Sequence, residues 1–465
     1  MTTLLALVEL LRNELLLFAG IGLLIGGLDD LLLDILYGTR RIWRALTVYS
    51  RIPRMTAPDL PPAGQAGPIA VLVPAWDEAA VIGQMLRRTL TLWRDEDVQL
   101  FVGTYPNDRP TIDAVIGAIA ELETGKVTLV VNPQPGPTTK ADCLNQLWQA
   151  MKRWEATMGR DATCVVLHDA EDVVHKDALR LMGMLAPRFA LVQLPVLPLV
   201  SSRSRWISGH YCDEFAEAHG KSLLVREALG AAVPSAGVGC GFNRKALGRI
   251  AAERGERPFD PTSLTEDYEL GLALGSAGGR GILVRMRDED GALIATREYF
   301  PDTLTAAVRQ KARWTIGIAL TGWDRLGWTS HWREAWMRLH DRRTALAALV
   351  LLAAYLGLVI GGALWLGGAL GLYTLDPLPS FLQGLLLFNA LFLCWRLAVR
   401  MAFVWRAYGP FEALRSVPRI VIGNIIGMMA ARRAFMLYLR HLRGQRLVWD
   451  KTAHRFPDEH SPEAA

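Results

Sequence analysis

Carboxylates recur in short polar motifs that follow apolar runs in the middle of this chain. His168-Asp-Ala-Glu-Asp172 follows the apolar run 163–167, and Thr265-Glu-Asp267 opens a later helical stretch. Clustered carboxylates are ligands that a hard divalent cation uses when it bridges phosphate oxygens, and a single carboxylate can act as a general base. A solvated turn before a helix is the alternative for each motif, because acids favour helix starts.

A further motif supplies positive charge and an aromatic ring. Gln310, Arg313 and Trp314 recur at i, i+3 and i+4, so they share one face of a helix. Arg313 can stabilise the charge of a diphosphate, and Trp314 can stack on a sugar. An interfacial helix with its Trp at the headgroup level is the alternative. Lys140, at the start of another helical stretch, could also reach a diphosphate.

Short apolar runs alternate with helical stretches from residue 69 onward. Strands are predicted at 69–73, 98–103, 127–131, 163–167 and 190–194, and helices at 79–93, 111–123 and 140–155. This alternation predicts an α/β fold with a mostly parallel, covered sheet. Ligands of such sheets bind beyond the carboxyl ends of the strands, where residues 74–78, 105–108 and 169–172 lie. The motifs are therefore expected to share one crevice.

The order of the motifs resembles that of family 2 glycosyltransferases with the GT-A (Rossmann-like) fold, especially membrane-embedded polysaccharide synthases such as cellulose synthase. The resemblance covers roughly residues 68–330. The matching strings, in the family's own patterns, are D-x-D at Asp169-Ala-Glu171, T-E-D at Thr265-Glu-Asp267, Q-x-x-R-W at Gln310-Lys-Ala-Arg313-Trp314 and K-A-x-x-L-N at Lys140-Ala-Asp-Cys-Leu-Asn145. Glu171 departs from the pattern, and the adjacent Asp172 leaves open which of the two binds a metal.

Two strings resemble one subgroup more closely. His168-Asp-Ala-Glu-Asp172 and Trp449-Asp-Lys-Thr-Ala-His454 are similar to those of bacterial phage adsorption proteins. These are inner-membrane glycosyltransferases that act in making a surface exopolysaccharide.

The resemblance implies a role for each motif. Asp267 would be the catalytic base, with Glu266 and Arg313 beside it in the catalytic set. A helix N-cap is the alternative for Asp267. Mg²⁺ or Mn²⁺ would bind at Asp169, Glu171 and Asp172. Donor contacts are implied for Pro74, Asp77, Glu78, Asp108, Lys140, Asp169, Gln310, Arg313 and Trp314.

The acceptor site is expected at the glycine-rich string that ends in Phe242. The residues implied are Gly239, Cys240, Gly241, Phe242 and Trp314. A tight structural turn is the alternative for the glycine-rich string.

Composition favours a membrane enzyme over a nucleic-acid-binding protein. The 465 residues are 51% hydrophobic, with a net charge of +5 and many arginines beside apolar segments. No Lys/Arg run is interleaved with aromatics, so no nucleic-acid partner is expected. The five cysteines lack paired spacing, which excludes a zinc or redox motif and suits a reducing compartment.

Apolar segments on both sides of the α/β block predict membrane spans at 15–37, 344–372 and 381–405. The segment 420–431 is expected to be interfacial or re-entrant, because it is too short to span, with a fourth span as the alternative. Arginines follow the first span, which predicts that the next domain is cytoplasmic. The acids within it, Asp29, Asp30 and Asp34, are expected to pair with interfacial arginines.

The predicted organisation has seven parts: a transmembrane anchor 1–37, an interfacial segment and linker 38–67, a cytoplasmic GT-A domain 68–330, an interfacial segment 331–343, transmembrane helices 344–372 and 380–405, and C-terminal interfacial helices with a cytoplasmic tail 406–465.

The predicted function is a metal-dependent, inverting glycosyltransferase in the bacterial inner membrane. It would move a sugar from a nucleotide diphosphate donor, by resemblance a UDP-sugar, to a growing exopolysaccharide at the cytoplasmic face. The acceptor would be a glycan or lipid-linked, and single transfer to a polyprenyl phosphate is one alternative. A catalytically silent receptor or scaffold is another. With three spans, export would need a homo-oligomer or a partner.

Overall fold

A seven-stranded sheet forms the centre of the protein, for which a computed structural model describes residues 2–445 and 455–457. The string that ends in His454 lies outside the described residues. In chain order the strands are β1 (Ile69–Pro74), β2 (Val98–Thr104), β3 (Val127–Val131), β4 (Cys164–Leu167), β5 (Leu191–Gln193), β6 (Cys240–Asn243) and β7 (Gly281–Leu283). Their order across the sheet is β3-β2-β1-β4-β6-β5-β7.

The sheet is mostly parallel, as the alternation of apolar runs and helices predicts. The pairs β1–β2, β1–β4, β2–β3 and β5–β7 are parallel, whereas β6 is antiparallel to both β4 and β5. Five strands match the expected runs within about two residues at each end, whereas β6 and β7 were not predicted.

Helices cover both faces of the sheet and continue into an apolar bundle. In chain order they are α1 (Thr2–Thr47), α2 (Ile82–Leu92), α3 (Arg109–Leu122), α4 (Lys140–Met158), α5 (Ala178–Leu185), α6 (Gly209–Glu217), α7 (Leu223–Ala228), α8 (Arg244–Glu253), α9 (Glu266–Ser276), α10 (Leu304–Trp314), α11 (Thr321–Leu326), α12 (Trp332–Arg342), α13 (Thr344–Ala369), α14 (Ser380–Tyr408) and α15 (Pro410–Leu442). A 3₁₀ turn (Ala57–Asp59) precedes β1, and π-helical turns follow α6 (Ala218–Ser222) and α10 (Thr315–Leu320).

Alternate residues of β1 point into two separate cores, which is why the strand reads as one continuous apolar run. Ile69, Val71 and Val73 pack with α2, α3 and α5 on one face. Ala70 and Leu72 pack with α4, α8 and α9 on the other. Burial of both faces holds the strand ends, and the residues that follow them, in a fixed position.

The start of α4 is fixed by a capping box. The Thr139 hydroxyl accepts from the Asp142 backbone N–H, and the Asp142 carboxylate accepts from that of Thr139. This reciprocal pair satisfies two of the donors that a helix start leaves open. Lys140 is the first residue of the helix, so the cap determines where its side chain begins.

The helices α1, α13, α14 and α15 are each long and apolar enough to cross a membrane. The expected segment 420–431 is the middle of α15, which has 33 residues, more than the roughly 20 that a crossing needs. The helix continues through Arg419, which bonds to Glu412 and Asp213, so the apolar segment is longer than the sequence indicated. Whether it lies at the interface or crosses the membrane stays a prediction.

The acids of α1 are paired with basic side chains, which are arginines for Asp29 and Asp30, as expected, but a lysine for Asp34. Asp29 lies 2.7 Å from Arg343, and Asp30 lies 2.6 Å from the same guanidinium. Asp34 forms an ion pair with Lys221, which precedes α7. The pairs with Arg343 join α1 to the start of α13, and the Asp34 pair joins α1 to the turn that follows α6.

Candidate active site

One cavity of about 610 Å³ lies at the carboxyl ends of β1 and β4, beside the start of α9 and one side of α10. It brings together most of the side chains that the sequence predicted to act, although they come from distant parts of the chain. Those that line it are Pro74, Glu78, Lys140, Asp169, Glu171, Glu266, Asp267, Gln310, Arg313 and Trp314.

Lys140 is the cation nearest the acidic motifs. Its Nζ lies 2.6 Å from Asp169 Oδ1. Burial disfavours its charge, but the carboxylates of Asp169, Glu266 and Asp267 outweigh burial and raise the pKa of Lys140 above its ordinary value. The ammonium therefore stays charged at all physiological pH and is available to a diphosphate.

Asp267 is held at the start of α9. Burial is the largest influence on its carboxyl and raises the pKa, while the charge of Lys140 opposes the rise. Its Oδ1 accepts from the next backbone N–H, that of Tyr268, at 2.7 Å. Burial also raises the pKa of Glu266, and the Asp267 charge adds to the rise. A carboxylate whose pKa is raised binds a proton more readily, which suits a general base.

Gly237 packs directly against Asp267. Its φ is +78°, in the region that favours glycine, and a Cβ there would overlap Asp267 Oδ2. The sequence indicated a flexible glycine turn here, but the structure gives this glycine a specific steric role beside the predicted base.

The three acids of the motif after β4 do not point the same way. Asp169 and Glu171 line the cavity, but Asp172 does not. The Asp172 carboxylate is fully buried and lies 2.5 Å from His168 Nδ1. Burial lowers the pKa of His168 to about 4, so its ring is neutral and donates this hydrogen bond. Of the three predicted metal ligands, only Asp169 and Glu171 are therefore placed to meet a ligand in the cavity, and metal binding by them stays a prediction.

These two carboxylates fit a divalent cation that is also bound by the oxygens of a substrate phosphate. Mg²⁺ is often bound by one or two carboxylates, with substrate phosphates and water completing its shell. Among the described residues, three ligating side chains converge only at Asp29, Asp30 and His340, in the helix bundle. Arg343 already binds both of those aspartates, so that group does not resemble a metal site.

The predicted acceptor string needs a correction. Gly239 does not line the cavity, and Cys240, Gly241 and Phe242 belong to β6, buried between β4 and β5. The three glycines made the string read as a turn, but Cys240 and Phe242 point into the core that contains Leu247. The residues just before β6, from Pro234 to Val238, line the cavity instead.

Asp108 has a local structural role in this structure. Its carboxylate caps α3 by accepting from the Thr111 backbone N–H, and it accepts from the Asp77 backbone N–H at 2.6 Å. Neither Asp77 nor Asp108 lines the cavity, whereas Trp76 and Glu78 beside them do. The nucleotide contacts expected of these two aspartates stay a prediction.

The helix α10 presents Gln310, Arg313 and Trp314 to the cavity. Gln310 Oε1 is buried, and among the described residues it has no hydrogen-bond partner. A buried, unsatisfied acceptor in a cavity wall is a position where a ligand donor would be stabilising. Trp314 packs on Phe215 and Phe300, with ring centroids 6.3 Å and 6.4 Å away.

Several cavity residues gave no signal in the sequence. Phe215, His219 and Phe300 line the aromatic side, and Arg455 reaches the cavity from the C-terminal residues. They come from segments without a recognisable motif, so only the folded structure brings them to the site. The only available hint was that Phe215 and His219 are four apart on one helical face.

Known proteins are similar to this chain in sequence. A sequence profile described as "Glycosyltransferase like family 2" matches residues 66–317. Bacteriophage adsorption protein B of Escherichia coli strain K12 and bacteriophage N4 adsorption protein B of Escherichia coli O157:H7 are each 39% identical to this chain, over 93% of its length. The chain spans 60% of the length of these relatives.

A solved structure confirms the predicted GT-A fold. The mannosyltransferase PcManGT from Pyrobaculum calidifontis, in complex with GDP-Man and Mn²⁺, superposes with a TM-score of 0.52 at 17% identity. The match covers 81% of this chain and 98% of that one.

Proposed function

This chain belongs to the family 2 glycosyltransferases, and from that premise we propose that it transfers a sugar from a nucleotide diphosphate donor to a growing exopolysaccharide. The observation that carries the proposal is the meeting of Asp267, Lys140 and Arg313 around one cavity. A base and two cations match the two events of glycosyl transfer: an acceptor hydroxyl loses a proton, and a diphosphate leaves with its negative charge.

Asp267 acts as the base. The acceptor oxygen forms a bond to the anomeric carbon while the bond from that carbon to the donor phosphate breaks. The hydroxyl proton passes to the Asp267 carboxylate, and the electron pair leaves with the nucleoside diphosphate. Attack from the face opposite the leaving group inverts the anomeric configuration. Burial, which raises the pKa of Asp267, favours its acceptance of the proton.

Lys140 and Arg313 stabilise the leaving diphosphate through charge-assisted hydrogen bonds. Asp169 and Glu171 would hold a divalent cation, Mg²⁺ or Mn²⁺, which neutralises diphosphate charge when bound. The Mn²⁺ and GDP-Man bound to the Pyrobaculum mannosyltransferase support this assignment. The donor we propose is a UDP-sugar, and the assay below includes GDP-sugars for comparison.

We place the enzyme in the bacterial inner membrane, with the α/β part in the cytoplasm. Four helices long and apolar enough to cross support membrane association. Arginines cluster around residues 40–54, directly after the apolar part of α1, which by the positive-inside rule favours a cytoplasmic start of the catalytic region. Export of a polymer would then require a homo-oligomer or a partner.

The test is replacement of the base. Asp267→Asn keeps the side chain's size but cannot accept the acceptor proton, so turnover should fall about 10²- to 10⁴-fold. Affinity for the nucleoside diphosphate should change little, because Lys140 and Arg313 remain. Purified membranes are assayed for nucleoside diphosphate release from a panel of UDP- and GDP-sugars, and nucleotide binding is measured by calorimetry on the same preparations.

Asp161→Asn is the matched control, because Asp161 is exposed and does not line the cavity. It should leave release unchanged. Normal turnover in Asp267→Asn would mean that Asp267 only caps the start of α9. Absence of release from every donor in the wild-type protein would favour a catalytically silent scaffold.

A further inference from the structure

The wall of the cavity around Trp314 is aromatic rather than charged. Phe215 lies 4.9 Å from Phe300 and 6.3 Å from Trp314, measured between ring centroids. His219 stacks on Phe215 at 5.3 Å with the two ring planes only 8° apart. All four rings line the cavity that also holds Asp267. We call these four residues the aromatic wall.

His219 gives this wall one directed hydrogen-bond donor. Its Nδ1 accepts from the Val196 backbone N–H at 3.3 Å, so in the neutral ring the proton is on Nε2. Burial, with the Arg285 charge, lowers the pKa of His219 to about 3, so the ring is neutral at physiological pH. Because Nδ1 is engaged and the ring lines the cavity, Nε2–H is the group that a ligand can meet.

The backbone under His219 is unusual and firmly held. The residue lies in the π-helical turn Ala218–Ser222, and such turns are rare and concentrate at functional sites. Lys221, in the same turn, forms an ion pair with Asp34 of α1 and lies 2.6 Å from Glu217. The turn is thus fixed on the bundle side by charge pairs while it presents His219 to the cavity.

The charges of the cavity discriminate between two classes of acceptor, a glycan and a polyprenyl phosphate. Among the described residues that line it, eight are acidic and three are basic: Lys140, Arg313 and Arg455. The donor diphosphate needs Lys140 and Arg313, and Arg455 lies 3.9 Å from Asp302. Within the described part of the cavity lining, no other basic side chain is left for a second phosphate, which would meet net repulsion. Sugar hydroxyls are neutral and carry no such penalty.

We infer that the aromatic wall is a subsite for a sugar ring of the acceptor, so the acceptor is a glycan and not a polyprenyl phosphate. This inference rests on the proposed function and deepens it. Aromatic faces cover the C–H face of a pyranose, and a neutral N–H donor fixes a hydroxyl, the combination of apolar area and few placed polar groups that binding sites use. Phe215 and His219 are the residues that select this acceptor.

The experiment measures acceptor binding apart from transfer. The full chain, purified in detergent and saturated with UDP and Mn²⁺, is titrated by calorimetry with cello-, chito- and manno-tetraoses, and with undecaprenyl phosphate in mixed micelles. Nucleoside diphosphate release from the donor panel is measured with and without each acceptor. A tetraose should bind saturably and stimulate release, whereas undecaprenyl phosphate should do neither.

Two variants locate the binding. Phe215→Leu keeps apolar volume without the ring, and His219→Asn keeps an acceptor for Val196 but loses the Nε2 donor. Each should weaken tetraose binding about tenfold, the effect of one stacking contact or one hydrogen bond, with nucleotide affinity and the thermal midpoint unchanged. His175→Asn is the control, because His175 is bonded to Asp288 and does not line the cavity.

Each contrary result has a distinct meaning. Failure of every tetraose to bind, binding that both variants leave intact, or stimulation by undecaprenyl phosphate alone would overturn the inference. Loss of release from all donors, with tetraose binding still sensitive to Phe215→Leu, would refute the proposed transfer reaction while leaving the glycan subsite in place.

Discussion

Replacement of Gly237 by alanine tests whether the position of Asp267 matters for turnover. At a φ of +78° the added Cβ would lie 3.1 Å from Asp267 Cγ and nearer than 3.0 Å to Oδ2, where ordinary contact begins at 3.4 Å. The other side of the carboxylate is constrained by its hydrogen bond to the Tyr268 N–H. Relief of this overlap requires the carboxylate to shift by about half an ångström, and catalytic geometry is sensitive to displacements of that size.

A displacement of about 1 Å can reduce a rate about 10²-fold, so Gly237→Ala should lose about 10- to 100-fold in turnover. The positive φ adds a separate cost of about 1–2 kcal/mol in stability for any residue with a Cβ. Gly230→Ala isolates that cost, because Gly230 has a φ of +73° and nothing within 4 Å of an added Cβ. Both variants should therefore lose the stability that the positive φ costs, and Gly237→Ala should lose more because it also displaces Asp267. Only Gly237→Ala should lose turnover.

The assay is nucleoside diphosphate release at saturating donor, with thermal unfolding and nucleotide affinity measured on the same preparations. If Gly237→Ala and Gly230→Ala turn over equally while both stay folded, a shift of Asp267 is harmless. The assignment of this carboxylate as the base would then be refuted.

Three other predictions concern the metal, the cation and the topology. Glu171→Gln should raise the Mn²⁺ concentration needed for half-maximal release about tenfold or more, whereas Asp172→Asn should chiefly lower the thermal midpoint; the opposite pattern would reassign the ligand. Lys140→Met should weaken UDP binding at least about tenfold by calorimetry, and unchanged binding would exclude contact with the diphosphate. With native cysteines replaced, Asp376→Cys should react with an impermeant maleimide added outside the cell and Pro58→Cys should not, whereas the reverse result would invert the topology.

The sequence could predict the strand ends because their pattern is local. β1 and β4 are continuous apolar runs, and the polar residues after them, such as Asp169, must lie at one edge of a parallel sheet. Lys140 was recognisable from its motif, and Thr139 caps its helix in the way that local chemistry favours. The cavity accordingly contains most of the residues expected of it.

What the sequence could not predict depends on contacts between distant segments. Cys240 and Phe242 lie among glycines, and only the neighbouring strands show that they belong to β6. Asp172 differs from Asp169 in direction because His168 binds it inside the core. His219 belongs to no motif. It lies in a π-helical turn, which no residue pattern predicts, and this turn places it in the cavity.

The ion pairs between the bundle and the π-helical turn limit how modular this enzyme can be. A fragment cut at the edges of the family match, residues 66–317, would keep Lys221 and Glu217 but lose Asp34 and Arg396. It would also bare the face that α15 covers, where Ile426 packs in the cluster that contains Phe300. Recombination that moved the catalytic segment alone onto another anchor would therefore have to supply matching charges as well. In its contacts, the catalytic segment forms one unit with its helices.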